Sequence, residues 1–383
     1  MSAEKKRIVK RSKTNSVMEL VASRLGVTPQ ELEREVSGKC KNVLNIAGLD
    51  KAVDLFWSMI DSPVYVYCDY DCDGITSGSI ISIGCNSIGI KPHIIIPRRF
   101  TDGYGIKVKN LENMDPSGLL ITVDNGIAAN EAVDTAKEKG MKVIILDHHE
   151  ARILNGEQFL PEADVVIDPH ITEADFEDYC GAGLAYRFMR EVFAKKRRPA
   201  DLNGIMSSMI ALAAVGTVGD SVTMKAENRF LVRRGMEQIE QKRVSTGLVL
   251  LLEEMKLSDT LSVEDIAYSL VPAINAFGRL EDEGSRKVAA LLSYTGRKSD
   301  GAKNAAQIVK QMNDERKTYC KELTELAEKM VEETGQMNNS VLVLQDDRFL
   351  KGICGIIAGN LTEKYKVPSI VFGAPENGIC VGS

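Results

Sequence analysis

Three aspartates stand at every second position in DYDCDG, residues 69 to 74, directly after the apolar run VYVYC. Carboxylates this close repel one another, which raises their proton affinity and destabilises a fold unless cations neutralise them. Three further apolar runs end the same way: LLITVD on Asp124, VIILD on Asp147 followed by His148 and His149, and DVVID on Asp168. A later run, IALAAVGTVGD, ends on Asp220. Oxygen donors with one imidazole suit Mn2+ or Mg2+ better than a thiolate-bound metal. Alternate residues of an extended segment point the same way, so Asp71 and Asp73 are expected to face one metal site or two adjacent ones. Asp124 is placed to bridge, and His148 offers a nitrogen. Two ions about 3.5–4 Å apart form an arrangement that activates water and stabilises an in-line displacement at phosphorus. His93 and His170 have no comparable company and read as structural.

Positioning these groups is the task of an alternating pattern. The runs PVYVYCD, PHIIIP, GLLITVD, KVIILD and ADVVID are β-branched strands, separated by the helical stretches ITSGSIISIGCNSIG, AANEAVDTAKEKG and GAGLAYRFMREVFAKK. Continuous apolar strands between helices predict an α/β fold, a parallel sheet covered by helices on both faces. Ligands of such sheets bind beyond the carboxyl ends of the strands, where the aspartates fall. Two short helices are expected within residues 16–37, the second started by Thr28-Pro29, and another at 49–60. A helical region follows the sheet, closing with a long charged helix at 300–334. SVLVLQDD, KGICGIIAGNLTEKYKVP and SIVFGAP then form a new strand, helix, strand unit. One such unit is too small to bury both faces of a sheet, so the chain is expected to be incomplete there. The expected division is a basic tail with short helices (1–44), a catalytic domain (45–225), a helical connector (226–337) and a partial second α/β domain (338–383).

With 383 residues, 44% of them hydrophobic, the chain can bury a substantial core. The net charge of −6 argues against general adhesion to nucleic acid. Basic residues concentrate at Lys5, Lys6, Arg7, Lys10, Arg11 and Lys13 and again from Lys195 to Arg198, as solvated segments or phosphate-tracking ones. The eight cysteines contain no C-x-x-C pair, so their spacing suggests neither a zinc knuckle nor a disulfide framework. No apolar run approaches the roughly 20 residues of a membrane helix, and the N-terminus lacks a secretory signal. The expectation is a cytoplasmic protein with no membrane partner.

Taken together, DYDCDG, VDNGI, DHH and GTVGD resemble the four motifs of the DHH phosphoesterase superfamily. IPRRFTDGYGI, CGAGLAYRF and INAFGRL resemble its RecJ-like branch of single-strand exonucleases, archaeal relatives included. GICGIIAGNLTEKYKVPSIVFG is similar to the first part of that family's DHHA1 domain. The resemblance implies a metal-dependent exonuclease of single-stranded DNA or RNA, working in replication or repair with two Mn2+ or Mg2+ ions. It makes Asp71, Asp73, Asp124, His148 and Asp220 metal ligands and places His149 on the scissile phosphate, with Asp147 orienting the histidines. It assigns Arg99, Asn275 and Arg279 to substrate phosphates. Gly382 and Ser383 match the start of a closing phosphate-gripping motif whose arginine would fall two positions after Ser383. Many relatives carry a histidine where Tyr67 stands, which leaves one metal a ligand short or brings in Asp69. Two alternatives accompany this reading: a phosphodiesterase of short oligonucleotides, and a replisome scaffold related to these nucleases. An archaeal member would also contact the replication complex called GINS.

Overall fold

The structure is a computed structural model and describes residues 16–36, 44–196, 198–257, 261–375 and 378–383. The basic N-terminal cluster lies outside the described residues. Two short helices come first, α1 (Val17–Leu25) and α2 (Pro29–Val36). Glu31 N–H bonds Thr28 Oγ1 at 3.2 Å and Thr28 N–H bonds Glu31 Oε2 at 2.7 Å, a reciprocal cap that fixes where α2 begins.

The alternating part runs α3 (Leu49–Ser58), β1 (Val64–Cys68), α4 (Cys72–Ser87), β2 (His93–Ile95), β3 (Leu119–Val123), α5 (Asn130–Glu138) and β4 (Lys142–Leu146). A small antiparallel hairpin, β5 (Arg152–Leu154) with β6 (Glu157–Phe159), precedes β7 (Val165–Ile167). The sheet order is β2-β1-β3-β4-β7, and every neighbouring pair is parallel. One face buries Val66, Cys68, Ile121, Val123, Ile144 and Leu146 against helices that include α3 and α4. The other carries Tyr67, Leu120, Val143 and Ile145 beneath α5 and the 3-10 turn Val108–Leu111. Burial on both faces is why these strands read as unbroken apolar runs.

Helices α6 (Gly181–Lys195) and α7 (Leu202–Gly219) complete the covering layer. By length and composition α7 could cross a membrane. Here its sides pack on α4, α6 and α8 (Ala226–Glu240), and its small residues let those helices approach closely. Next come α9 (Thr246–Met255) and α10 (Val263–Asp265), which passes through a π-helical turn at Ile266–Leu270 into α11 (Val271–Leu280). After α12 (Gly284–Leu292), α13 (Asp300–Glu333) runs for 34 residues. Its first half, through Ala306 and Val309, belongs to the core of the sheet. Its second half, through Leu323, Ala327 and Val331, packs on a separate core made by β8 (Leu342–Gln345), α14 (Cys354–Tyr365) and β9 (Ser369–Phe372). β8 and β9 are parallel, consistent with part of a second α/β domain.

Candidate metal centre

The strands end together. Cys68 pairs with Val123, Val123 with Leu146, and Leu146 with Ile167. The next residue of each strand is an aspartate, so Asp69, Asp124, Asp147 and Asp168 form a row just past the last paired one. The chain leaves β1 toward β2 on one side and returns as β3 on the other, and the crevice of such a sheet opens at that switch point. Asp69 and Asp124 stand on its two lips. Asp124 takes a left-handed backbone conformation, φ 60°, which an aspartate tolerates better than most residues.

Asp71 and Asp73 do not share an extended segment, contrary to the alternation argument. The chain turns into α4 there, because Asp71 Oδ1 accepts the N–H groups of Asp73 and Gly74 at 3.0 and 3.1 Å as the helix cap. Asp73 lies in the first turn and points elsewhere. Its Oδ2 accepts the Gly181 N–H at 2.6 Å and its Oδ1 the Ala182 N–H at 2.9 Å, at the amino end of α6. The two carboxylates therefore serve different groups. Asp69, Asp71 and Asp124 offer oxygens within 4.8 Å of one another, Asp73 and Asp220 offer oxygens equally close to a ring nitrogen of His148, and Asp124 also forms a group with His148 and His149.

His148 joins the groups. Its Nε2 lies 3.0 Å from Asp124 Oδ1, 3.7 Å from Asp73 Oδ2 and 3.8 Å from Asp220 Oδ2. Burial lowers its pKa against the pull of Asp73, which favours the neutral, lone-pair-bearing ring. Burial also pushes Asp69 up to about 7, with Asp71 adding to it. Asp220, closing the carbonyl end of α7, is likewise pushed to about 7 by burial and by Asp73 and Asp71. Asp71 and Asp124 rise from the same causes. Asp69 Oδ1 is buried with no hydrogen-bond partner among the described residues. A buried oxygen without a partner and carboxylates with raised proton affinity fit divalent cations.

Tyr67 takes no part in these groups. Its hydroxyl turns to the opposite face of the sheet and donates to Gly105 O at 3.2 Å, with Asn110 Oδ1 at 3.4 Å. The position resembling a histidine of relatives thus tethers the loop after β2, and Asp69 is the further carboxylate at the rim.

Asp147 serves His149. Its Oδ1 accepts His149 Nδ1 at 2.7 Å and the His148 N–H at 2.8 Å, while Oδ2 accepts the Ile127 N–H at 2.9 Å. Burial works to raise the Asp147 pKa, but these bonds hold it below the usual carboxylate range. The same bond raises His149 to about 9. The ring of Tyr104 meets that of His149 edge-on at 5.9 Å. Asp168, in the same row, instead caps its own turn by accepting the His170 N–H at 3.0 Å.

Around this centre, Arg98 is paired with Asp102 at 3.1 Å, whereas the Arg99 guanidinium lies over the Tyr70 ring at 4.8 Å. On α11, Asn275 Oδ1 is buried without a partner among the described residues, and Arg279 Nη1 donates to Gly352 O at 3.1 Å. Ser383 exchanges backbone hydrogen bonds with Val371 on β9 at 2.8 and 3.0 Å, Gly382 bridges Phe372, and neither is among the metal-ligating groups. In the second basic cluster, Lys195 is paired with Asp54 and the Lys196 ammonium lies 5.8 Å from the Trp57 ring centre. The described cysteines are all free thiols.

Sequence reasoning did not find the Gly181 and Ala182 amides, nor the glycines that let elements close on the site. A Cβ on Gly181 would lie 2.6 Å from Asp124 Cβ, and one on Gly216 would lie 2.7 Å from Asp73 Oδ1. The small-residue opening CGAG of α6 is the only written trace of that cradle.

Residues 63–217 match the model of the DHH family, N-terminal domain. The chain is 30% identical over 386 residues to the single-stranded-DNA-specific exonuclease RecJ of Escherichia coli, covering 95% of this chain and 64% of the relative. The chain is homologous to the RecJ-like exonucleases of the DHH family. The Bacillus subtilis RecJ is 31% identical over 88% of the chain and 41% of its own length. The chain therefore spans under two thirds of the length of these curated relatives. Among solved structures, an exonuclease RecJ bound to manganese superposes with a TM-score of 0.73 at 26% identity, covering 86% of this chain and 81% of that one. The Thermus thermophilus RecJ in complex with Mn2+ gives 0.72 at 25% identity, covering 93% and 52%.

Proposed function

We propose that this chain is a divalent-metal-dependent phosphodiesterase that removes nucleotides from the end of a single nucleic-acid strand. The observation that carries this is the meeting of Asp69, Asp71, Asp73, Asp124, Asp220 and His148 at the switch point of a RecJ-like sheet. In this reading Asp73, His148 and Asp220 would hold one Mn2+ or Mg2+, and Asp69, Asp71 and Asp124 would hold a second. Bound divalent ions supply Lewis acidity toward a phosphoryl oxygen and make water a better nucleophile.

The chain's own residues do the rest. The helix amides at Gly181 and Ala182 hold the Asp73 carboxylate in place. Asp147 holds His149 by Nδ1 and keeps it protonated at neutral pH, which leaves Nε2–H free to donate to an anionic phosphate oxygen. Arg99, Asn275 and Arg279 hold phosphates of the strand, Gly382 and Ser383 contribute from the C-terminal unit, and that unit is the beginning of a DHHA1-like substrate domain.

The test is Asp124→Asn, which keeps a residue tolerant of the left-handed backbone. Degradation of end-labelled single-stranded 20-mers, DNA and RNA in parallel, should fall below detection in Mn2+ while the thermal unfolding midpoint stays high. Wild-type rates from Asp124→Asn would overturn the assignment, and the position of the label gives the polarity.

A further inference from the structure

The turn between α11 and α12 carries three acids in a row, Glu281, Asp282 and Glu283. The outer two pair with bases of α12, Glu281 with Lys287 and Glu283 with Arg286 at 3.0 Å. Asp282 instead reaches back 182 residues: its Oδ1 accepts the Phe100 N–H at 2.8 Å, and its Oδ2 accepts the Thr101 hydroxyl. Those two residues directly follow Arg99 in the loop after β2. Three positions beyond Asp282, the buried Ser285 donates its hydroxyl to the Tyr70 carbonyl at 2.7 Å. Tyr70 stands between Asp69 and Asp71, and its ring carries the Arg99 guanidinium at 4.8 Å. One turn therefore grips both the backbone beside Arg99 and the backbone between two carboxylates of the metal centre. Within the loop, Asp102 accepts the Arg98 N–H at 3.0 Å and closes the chain on itself. The bonds to Asp282 join that closed loop to the helical layer, and a carboxylate acceptor makes them stronger than bonds between neutral groups.

We infer that Asp282 is a positioning residue: it latches the loop after β2 to the α11–α12 turn and so sets Arg99 against the carboxylate turn that Ser285 holds. Asp282 acts through Arg99. The role of Arg99 toward the strand rests on the phosphodiesterase reading, whereas the latch itself does not. A guanidinium on a loop that must be ordered at each binding event holds an anion less tightly than one already in place. Loss of the latch therefore falls on binding. The chemical step is spared, because the turn between Asp69 and Asp71 keeps its own tie through Ser285.

The experiment compares wild type with Asp282→Ala and Asp282→Asn. Asparagine keeps the shape, an oxygen for the Phe100 N–H and an amide that can donate to Thr101 Oγ1. Hydrogen exchange of the Phe100 amide reports the latch, and steady-state cleavage of a single-stranded 20-mer in Mn2+ separates KM from kcat. In Asp282→Ala, Phe100 exchange should quicken about tenfold and KM should rise about tenfold, with kcat within about threefold. Asp282→Asn should return both most of the way. Unchanged Phe100 exchange, or unchanged KM, in a folded Asp282→Ala would overturn the inference. Where Asp282→Ala lowers the unfolding midpoint, Thr101→Val decides, since it removes one of the two bonds from an exposed position. A KM raised about threefold at the wild-type midpoint supports the latch, and a wild-type KM overturns it. If the wild type cleaves no oligonucleotide, the phosphodiesterase reading fails and the latch is read by exchange alone. Phe100 exchange quickened in Asp282→Ala and restored in Asp282→Asn supports it, and no quickening overturns it.

Discussion

Gly181 donates its backbone N–H to Asp73 Oδ2 at 2.6 Å, so the amino end of one helix fixes a carboxylate in the first turn of another. Gly181→Ala puts a Cβ 2.6 Å from Asp124 Cβ and 3.0 Å from Asp73 Oδ2, with rigid atoms on both sides. Displacing two carboxylates by a fraction of an ångström should lower the Mn2+-dependent cleavage rate about 100-fold. The overpacking should cost about 1–3 kcal/mol in denaturant unfolding. Gly301→Ala, where nothing lies within 4 Å of the new Cβ, is the control and should leave both unchanged or slightly raise stability.

Asp147→Asn should release His149. With the carboxylate gone, the His149 pKa should fall from about 9 toward its ordinary value of 6.5, read by NMR titration of the ring. Cleavage at neutral pH should drop about 10–100-fold and recover in part at lower pH, where the ring is again charged. A His149 pKa that stays near 9 would contradict the role assigned to Asp147.

Metal-free protein should lose stability as pH rises. Asp69 and Asp220 titrate near 7 in the fold and near 4 when unfolded, so between those values the unfolded state gives up protons that the native state retains. Stability is then greatest below about pH 4 on their account and falls until about pH 7. His149, raised to about 9, contributes stability that is present below 6.5 and lost through 9, in the same direction. The unfolding midpoint in EDTA should therefore decline from pH 5 to 8. Mn2+ should raise it more at pH 8 than at pH 5, because ions bind the deprotonated carboxylates. A flat or rising midpoint in EDTA would count against the clustered geometry.

A buried pair behind the site sets a stability prediction. Arg187, 2% exposed, bonds Glu227 Oε2 at 2.5 Å, and Tyr179 donates to the same oxygen at 2.5 Å, two residues before Gly181. Glu227→Leu leaves the guanidinium buried without its partner and should cost about 3–5 kcal/mol in urea unfolding. Adding Arg187→Met should restore much of that loss, since neither charge then remains to be solvated. A double variant no better than the single one would show that the packing of Tyr179 matters more than the charges.

The parallel sheet was legible because strands buried on both faces are written as continuous apolar runs, and its Asp row because the register brings all four strand ends to one line. The β5–β6 hairpin was not, since its three-residue strands are exposed and carry no apolar alternation. The course of Asp71 and Asp73 was misread as extended. A helix cap and an extended residue look alike in sequence, and only the bonds from Asp73 and Gly74 N–H distinguish them. The cradle of Asp73 was invisible for a different reason: it is made of backbone amides 108 and 109 residues away, and peptide groups carry no letter. Tyr67 was legible as a departure but not as a tether, because its partners Gly105 and Asn110 are chosen by the face of the sheet it occupies.

The 34-residue α13 is about 50 Å long and is shared by both cores. The placement of the second core against the first is thus governed by the straightness of a single rod. A bend of about 10° at its midpoint would carry the far end sideways by about 4 Å, comparable to the thickness of one stacked base. That midpoint falls between Val309, which belongs to one core, and Cys320, which belongs to the other, so the place where the rod would flex is also the place where it passes from one core to the next.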